Sequence, residues 1–155
     1  IDDFAKIEQI VSKNYNPNMF KYSIEKLVQK SIDMLMLENT ENIVSENIST
    51  KKINVDADLF AMTLKNLIDN ALKYSNDSKV LIKEQNNTLL IISNAEELPK
   101  PLHEYFKAFH NNTKFKNHGM GLGLYIVNAI LQMHNMSLEY EYLQKHNIFK
   151  IIIEK

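Results

Sequence analysis

"NLIDNALKYSND", residues 66–77, lies in a helix that the hydrophobic periodicity predicts for Ala57–Tyr74. The apolar residues fall on one side of this helix, the side expected to face a core; they are Phe60, Leu64, Leu67, Ile68, Ala71 and Leu72. The opposite side carries a polar set made of Asn66, Asn70 and Lys73, with Tyr74 at its border. An amide oxygen can bind Mg²⁺, an ammonium can neutralise phosphate, and an aromatic ring can lie against a base. The polar side therefore suits a nucleotide; an ordinary solvated helix face is the alternative.

The glycines form the second feature of the chain. All three of them, Gly119, Gly121 and Gly123, stand within five residues of NHGMGLGLYIVNAIL, Asn117–Leu131, whereas ordinary usage of about 7% predicts roughly eleven. Glycine lets the main chain approach a ligand closely, and the start of the helix that follows offers N–H groups that suit phosphate. A simple tight turn entering a helix is the alternative. A Walker A loop is excluded, because Gly-Leu-Tyr stands where that motif needs Gly-Lys-Ser/Thr.

The order of predicted elements favours an α+β fold, with helices on one face of a mostly antiparallel sheet. A first helical stretch ends at NYNPN, Asn14–Asn18, which is the predicted domain boundary. The elements predicted after it are a short strand at 19–22, a helix capped by Ser23, two short strands joined by a turn within Ile43–Asp56, a hairpin turning at Asn86–Asn87, and a closing hairpin from Ser137. A dinucleotide-binding fold is excluded, because the glycines come late and precede a hairpin.

Composition narrows the possible partners. The net charge of −1 arises from 18 basic and 19 acidic residues, so the chain shows no field that predicts a nucleic-acid partner. No run of about 18 apolar residues exists, so no membrane segment is expected in this chain. The first residue is Ile1 rather than Met, and we expect the chain to be a fragment.

Three stretches together resemble the catalytic ATP-binding domain of sensor histidine kinases, which belongs to a larger class that also includes DNA gyrase and heat-shock chaperones. NLIDNALKYS resembles that family's asparagine box, and HGMGLGLYIV resembles its second glycine box. Between them, YFKAFHN (Tyr105–Asn111) resembles the phenylalanine box. The boxes occur in the family's order, and the resemblance covers roughly residues 20–155.

The resemblance implies a two-layer α/β sandwich that holds ATP between its helices and a flexible lid. It implies that Asn70 ligates Mg²⁺ and that Asn66 supports it. Lys73 would contact phosphate, and Tyr74 would pack near adenine. The triphosphate would be wrapped by the glycine stretch, which contains Gly119, Gly121, Leu122 and Gly123. Phe106 and Phe109 would anchor the lid, and ordinary core packing is the alternative for both.

The family's first glycine box is degraded in this chain. The family pattern is Asp-x-Gly-x-Gly after a strand, with the Asp bonding the adenine amine, whereas here LLIIS runs into NAEELP. Counting back from Pro99 puts Ser93 at the Asp position, and a one-residue deletion puts Asn94 there. We prefer Asn94, because its side-chain oxygen can accept from the adenine amine. The lost charge and glycines leave an alternative function, a pseudokinase-like regulatory module with weak or no ATP binding.

One substitution bears on the reaction. ATP-hydrolysing members of the class carry Glu four residues before the metal-binding Asn, and this chain has Asn66 there. An amide cannot take a proton from water, so hydrolysis is disfavoured. The resemblance then implies a kinase that phosphorylates a histidine, from which a response regulator receives the phosphoryl group.

No histidine of this chain has the context of the family's acceptor. We therefore expect residues 1–14 to be the end of the second helix of a dimerisation and phosphoacceptor domain, and residues 15–155 to be the catalytic domain. The whole protein would be a homodimer through its N-terminal region. This chain would be a cytoplasmic part of an inner-membrane sensor.

Overall fold

The computed structural model describes residues 3–107 and 120–154. Its helices are α1 (Asp3–Val11), α2 (Ile24–Met34), α3 (Ala57–Tyr74), α4 (Leu102–Tyr105) and α5 (Met120–Met133). Its strands are β1 (Met19–Ser23), β2 (Ile43–Glu46), β3 (Lys52–Asp56), β4 (Val80–Gln85), β5 (Thr88–Asn94), β6 (Ser137–Leu143) and β7 (His146–Ile152). No helix among these residues is long and apolar enough to cross a membrane.

The main sheet has five strands in the order β2-β4-β5-β7-β6. Strand β2 runs parallel to β4, and the other neighbours are antiparallel. The hairpin turns fall at Asn86–Asn87, as predicted, and at Gln144–Lys145, where all four residues have positive φ. Positive φ at both central residues suits the twist of a two-residue hairpin.

The second and third strands correct one detail of the prediction. Both strands exist, but they do not pair with each other across a turn. Strand β3 pairs antiparallel with β1 in a separate two-stranded sheet, whereas β2 forms the edge of the main sheet. The segment between them is therefore a crossover from one sheet to the other.

One face of the main sheet packs on the helices. In β5, Leu89, Ile91 and Ser93 are buried toward that side, and the residues between them are half-buried on the other. The core is completed by α2, α3 and α5, whose central side chains include the fully buried Leu64 and Leu67. The predicted α+β fold, with helices on one face of a mostly antiparallel sheet, is confirmed.

Helix α3 has the predicted bounds for a clear local reason. The Asp56 side chain caps its first turn by accepting from the Leu59 backbone N–H at 3.1 Å. At the other end Ser75 is extended, which stops the helix. Helix α1 packs separately, with Ile7 and Ile10 in a smaller cluster against α3 and α5. The assignment of residues 1–14 to another domain stays a prediction.

Candidate functional site

The polar face of α3 lies where the periodicity placed it. Asn66 and Asn70 are half-buried, and Lys73 and Tyr74 are exposed, Tyr74 by 44%. The apolar residues of the helix enter the core, so packing fixes the direction in which the amides point. The Lys73 ammonium lies 3.0 Å from the Asp69 carboxylate, one turn back on the same helix. Such exposed pairs are weak, so this ammonium can exchange its partner for a phosphate.

Asn70 meets the glycine stretch directly. A Cβ added to Gly123 would lie 3.3 Å from the Asn70 Nδ2 and 3.7 Å from its Oδ1. That Nδ2 is buried and has no hydrogen-bond partner within residues 3–107 and 120–154. Since a buried polar group without a partner costs free energy, this amide is arranged for a partner that the described part of the chain does not supply.

The glycines in the helix matter because they have no side chain, and not because they adopt unusual backbone angles. Gly121 and Gly123 lie inside α5, which begins at Met120, and neither has a positive φ. The expectation that the helix follows the glycines is therefore wrong for these two. Gly123 is instead the residue that lets α5 approach the Asn70 amide. Gly119 and the side chain of Leu122 lie outside the described residues.

The residues of the site can accommodate Mg²⁺ in one way. No group of three or more His, Asp or Glu side chains that could hold a metal occurs within residues 3–107 and 120–154. Mg²⁺ typically takes only one or two protein ligands beside phosphate and water oxygens. The amide oxygen of Asn70, next to its unpartnered Nδ2, matches that need for few protein ligands.

Ser93 and Asn94 lie on opposite faces of β5. Ser93 is only 7% exposed and faces the helices, whereas Asn94 is half-buried on the other face. The Asn94 Oδ1 already accepts from the Asn76 Nδ2 at 2.8 Å, and its backbone oxygen accepts from the Asn76 N–H at 2.7 Å. Of the two alternatives for the adenine contact, the geometry favours Ser93 over the preferred Asn94.

The end of α3 adds a group that the sequence did not single out. Ser75 pairs with Ala95 in an isolated antiparallel bridge, and its buried Oγ has no hydrogen-bond partner among the residues that the structure describes. Unpartnered polar atoms therefore occur at Ser75 and, about one and a half turns earlier, at Asn70.

The loop after β5 depends on side chains that the sequence analysis missed. The Tyr142 hydroxyl donates to the Ala95 carbonyl at 3.0 Å, and the Asn147 Nδ2 donates to the Glu96 carbonyl at 3.1 Å. The Leu98 N–H donates to the Tyr140 hydroxyl at 3.0 Å. These contacts span 42 to 51 residues, so only the strand pairing brings the partners together.

The aromatic residues near α4 have a structural role. Phe106 is half-buried and packs on the main core. Tyr105 is buried, which raises the pKa of its hydroxyl, and the Lys100 ammonium lies 4.7 Å from its ring centre. Core packing thus accounts for Phe106, and its lid role stays a prediction. Phe109 lies outside the described residues.

Comparisons with known proteins find similar sequences and similar structures. Residues 55–154 match the family described as histidine kinase-, DNA gyrase B- and HSP90-like ATPase. The chain is 34% identical over 153 residues to the sensor histidine kinase ArsS of Helicobacter pylori, covering 97% of this chain and 36% of ArsS. It therefore spans about a third of the length of this relative.

Two solved structures share the fold. The cytoplasmic segment of histidine kinase QseC has a TM-score of 0.68 at 18% identity, over 99% of this chain and 91% of that one. Full-length ShkA in complex with AMPPNP has a TM-score of 0.73 at 18% identity, over 96% of this chain and 34% of that one. None of these matches favours the regulatory-module alternative.

Proposed function

We propose a phosphotransfer role from the premise that this chain belongs to the histidine kinase-, DNA gyrase B- and HSP90-like ATPase family, as the ATP-binding catalytic domain of a sensor histidine kinase. In this role the chain directs the γ-phosphoryl group of Mg-ATP to a histidine outside residues 1–155. A response-regulator aspartate then receives the group. The observation that carries the proposal is the buried, unpartnered Nδ2 of Asn70, which lies against Gly123.

The polar face of α3 supplies the groups that such a transfer needs. The Asn70 oxygen would hold Mg²⁺, with Asn66 one turn earlier in support. The metal, when bound, would neutralise phosphate charge and hold the phosphates in line. The Lys73 ammonium would give up its ion pair with Asp69 and would contact phosphate instead. Catalysis would consist mainly of positioning and charge neutralisation, as is usual in phosphoryl transfer.

The nucleotide would lie in a proposed cleft that extends from Asn70 to Ser93. The adenine end of this cleft would be formed by Ser93, Ser75 and Tyr74. Ser93 faces the helices, and its hydroxyl can accept from the adenine amine. The Ser75 Oγ is buried without a partner nearby. Tyr74 is exposed at the end of α3, where its ring can cover the base. This arrangement supports binding of the base without the acidic residue typical of the family.

The amide side chain of Asn66 favours transfer of the γ-phosphoryl group to another acceptor over hydrolysis of ATP. A water nucleophile needs a base to take its proton, and an amide at this position cannot serve as one. The γ-phosphoryl group is therefore kept for the acceptor histidine.

The wider assembly belongs to the same proposal. Residues 1–14 would be the end of the phosphoacceptor domain, and the protein would dimerise through the region before them. The chain would be a cytoplasmic part of a membrane-bound sensor. The extent of the ArsS match and the likeness to the cytoplasmic segment of QseC support this arrangement.

The test uses ATP labelled in its γ-phosphate, this chain, and the phosphoacceptor domain of the same protein supplied separately. We expect acid-labile label on the acceptor domain, and little label on the chain or in free phosphate. Asn70→Ala should abolish the labelling, whereas Asn54→Ala, which changes an exposed asparagine on β3, should not. Label recovered mainly as inorganic phosphate would instead identify a hydrolase.

A further inference from the structure

The loop between β5 and α4 lies beside the residues that we propose for the base and contains no glycine in its sequence AEELP, Ala95–Pro99. It begins two residues after Ser93, and its first residue bridges to Ser75 at the end of α3. Any shift of this loop therefore changes the distance from the end of β5 to the unpartnered atoms of Asn70 and Ser75. The position of the loop therefore depends on contacts with other parts of the chain.

The C-terminal hairpin holds this loop at nearly every residue. The backbone N–H of Ala95 donates to the Lys145 carbonyl at 3.0 Å, and its carbonyl accepts from the Tyr142 hydroxyl. The Glu96 carbonyl accepts from the Asn147 Nδ2. Loop backbone groups that leave water need such partners, and side chains of the hairpin supply most of them here.

Together with the loop backbone the three hairpin side chains form one network, in which Tyr140 and Asn147 are hydrogen-bonded to each other and Tyr142 is linked only through the Ala95 carbonyl. Tyr140 accepts from the Leu98 N–H through its hydroxyl oxygen, and the same hydroxyl donates to the Asn147 Oδ1. Asn147 is only 4% exposed, and both ends of its amide are used. Burial raises the pKa of the Tyr140 hydroxyl, so it stays protonated at neutral pH. The network is thus fully satisfied, and such networks rigidify the backbone that they bind.

The loop's charged side chains are exposed to solvent. Glu96 and Glu97 are exposed, so their carboxylates are solvated, while Leu98 is anchored in the main core. The hairpin side chains thus fix the backbone of the loop, and the contacts that do so are with Ala95, Glu96 and Leu98.

We propose that Tyr140, Tyr142 and Asn147 are positioning residues of the nucleotide site, which hold the Ala95–Leu98 loop so that Ser93 and Ser75 face the base. The inference rests on the proposed function, because it concerns the base end of the same cleft. It predicts that these side chains affect the part of the binding energy that comes from the base and leave the part from the phosphates unchanged.

The test compares two ligands on the purified chain in the presence of Mg²⁺. A non-hydrolysable ATP analogue contacts both ends of the cleft, and tripolyphosphate, measured by displacement of that analogue, contacts only the phosphate end. Tyr142→Phe removes one hydroxyl from the network. Tyr22→Phe is the matched control, since Tyr22 is half-buried on the same core and far from the loop in the sequence.

We expect Tyr142→Phe to weaken the analogue by about three- to tenfold, the range of one lost hydrogen bond, and to leave the dissociation constant of tripolyphosphate within about twofold. Tyr22→Phe should change neither. Asn147→Ala should have the larger effect, because it opens two contacts of the network; if it does not fold, Tyr142→Phe decides.

Unchanged analogue binding in Tyr142→Phe would overturn the inference, and so would equal weakening of both ligands, which indicates a general loss of structure. If the unaltered chain binds no analogue although it is folded, the proposed function itself fails. The two failures are therefore distinct.

Discussion

Gly123 and Asn70 form the most specific contact of the site at the scale of single residues. Gly123 lies in a helix with ordinary backbone angles, where glycine costs about 0.5–1 kcal/mol relative to alanine. The chain accepts this cost at a position where a Cβ would lie 3.3 Å from the Asn70 amide. The glycine at position 123 therefore allows the close approach of the Asn70 amide and does not stabilise the helix.

A Gly123→Ala variant separates the two effects. We expect the free energy of unfolding to stay within about 1 kcal/mol of the original value, because better helix propensity offsets a shift of a few tenths of an ångström in the neighbour. Analogue binding should weaken by about tenfold or more, since the shifted neighbour is Asn70. Thermal unfolding and calorimetry measure the two quantities. Binding as tight as in the unaltered chain would show that the close approach is incidental.

At this scale the sequence predicted the polar face of α3 well, because helical periodicity alone places Asn66, Asn70 and Lys73 together. For the adenine contact it favoured Asn94 over Ser93, whereas the geometry favours Ser93. That choice depends on which face of β5 turns toward the helices, and the strand's neighbours set this through pairing across the sheet. It also missed Tyr140, Tyr142 and Asn147, whose pattern in the sequence is that of any edge hairpin.

The junction of three elements around His134 is the main feature at the element scale. His134 follows α5, and its Nδ1 lies 2.8 Å from the Ile130 carbonyl, which it can contact only as an N–H donor. Its Nε2 accepts from the backbone N–H of Asp56 at 3.1 Å, where β3 passes into α3. The ring is thus neutral, and it joins the ends of the two helices that carry the site.

We predict from this junction that the free energy of unfolding depends on pH. Burial lowers the pKa of His134, more than the Ile130 carbonyl and the Asp56 charge raise it. Below the ordinary value of about 6.5 the unfolded chain binds a proton that the folded chain does not, so stability is highest above that value. It should fall as the pH decreases toward the lowered pKa.

Chemical denaturation between about pH 7.5 and pH 5.5 measures this effect, whose window starts near the ordinary histidine pKa. The decrease should be smaller in His134→Gln than in the unaltered chain, whereas His103→Gln, which changes an exposed histidine, should keep it. A decrease of the same size in both variants would assign the pH dependence to other groups.

The elements themselves were largely predictable. The bounds of α3 and the turn at Asn86–Asn87 follow from local signals, namely a capping Asp56, a helical apolar stripe and residues that tolerate positive φ. The pairing of β2 and β3 was not predictable in this way. Each finds a partner far along the chain, and no local signal distinguishes that arrangement from a hairpin.

At the scale of the whole molecule, the segment that follows α1 is joined to the start of α3 through one carboxylate. The Asp56 Oδ2 accepts from the Tyr15 hydroxyl at 3.2 Å and from the Asn18 N–H at 3.0 Å, while its Oδ1 caps α3. Burial and the charge of Asp56 raise the pKa of Tyr15, which keeps its hydroxyl a donor. Tyr15 is half-buried against the cluster of Ile7 and Ile10, so packing and this hydrogen bond together hold its ring.

Removing that hydroxyl should loosen α1 and leave the rest of the fold intact. In Tyr15→Phe we expect amide exchange in Ile7–Val11 to become about tenfold faster, the effect of losing one hydrogen bond to a charged group. Exchange in α3 should stay the same, because its cap uses the other oxygen. Mass spectrometry of exchange resolves both segments. Faster exchange throughout the chain would contradict a local role for this contact.

The central claim is that the unpartnered amide of Asn70 belongs to a Mg²⁺-dependent ATP site. Calorimetry of this chain with a non-hydrolysable ATP analogue, with and without Mg²⁺, tests the claim most directly when Asn70→Ala and Asn54→Ala are measured beside it. We predict binding in the micromolar-to-millimolar range that requires Mg²⁺, is lost in Asn70→Ala and persists in Asn54→Ala. A folded chain that binds no analogue, or an Asn70→Ala variant that binds as well as the original, would contradict it.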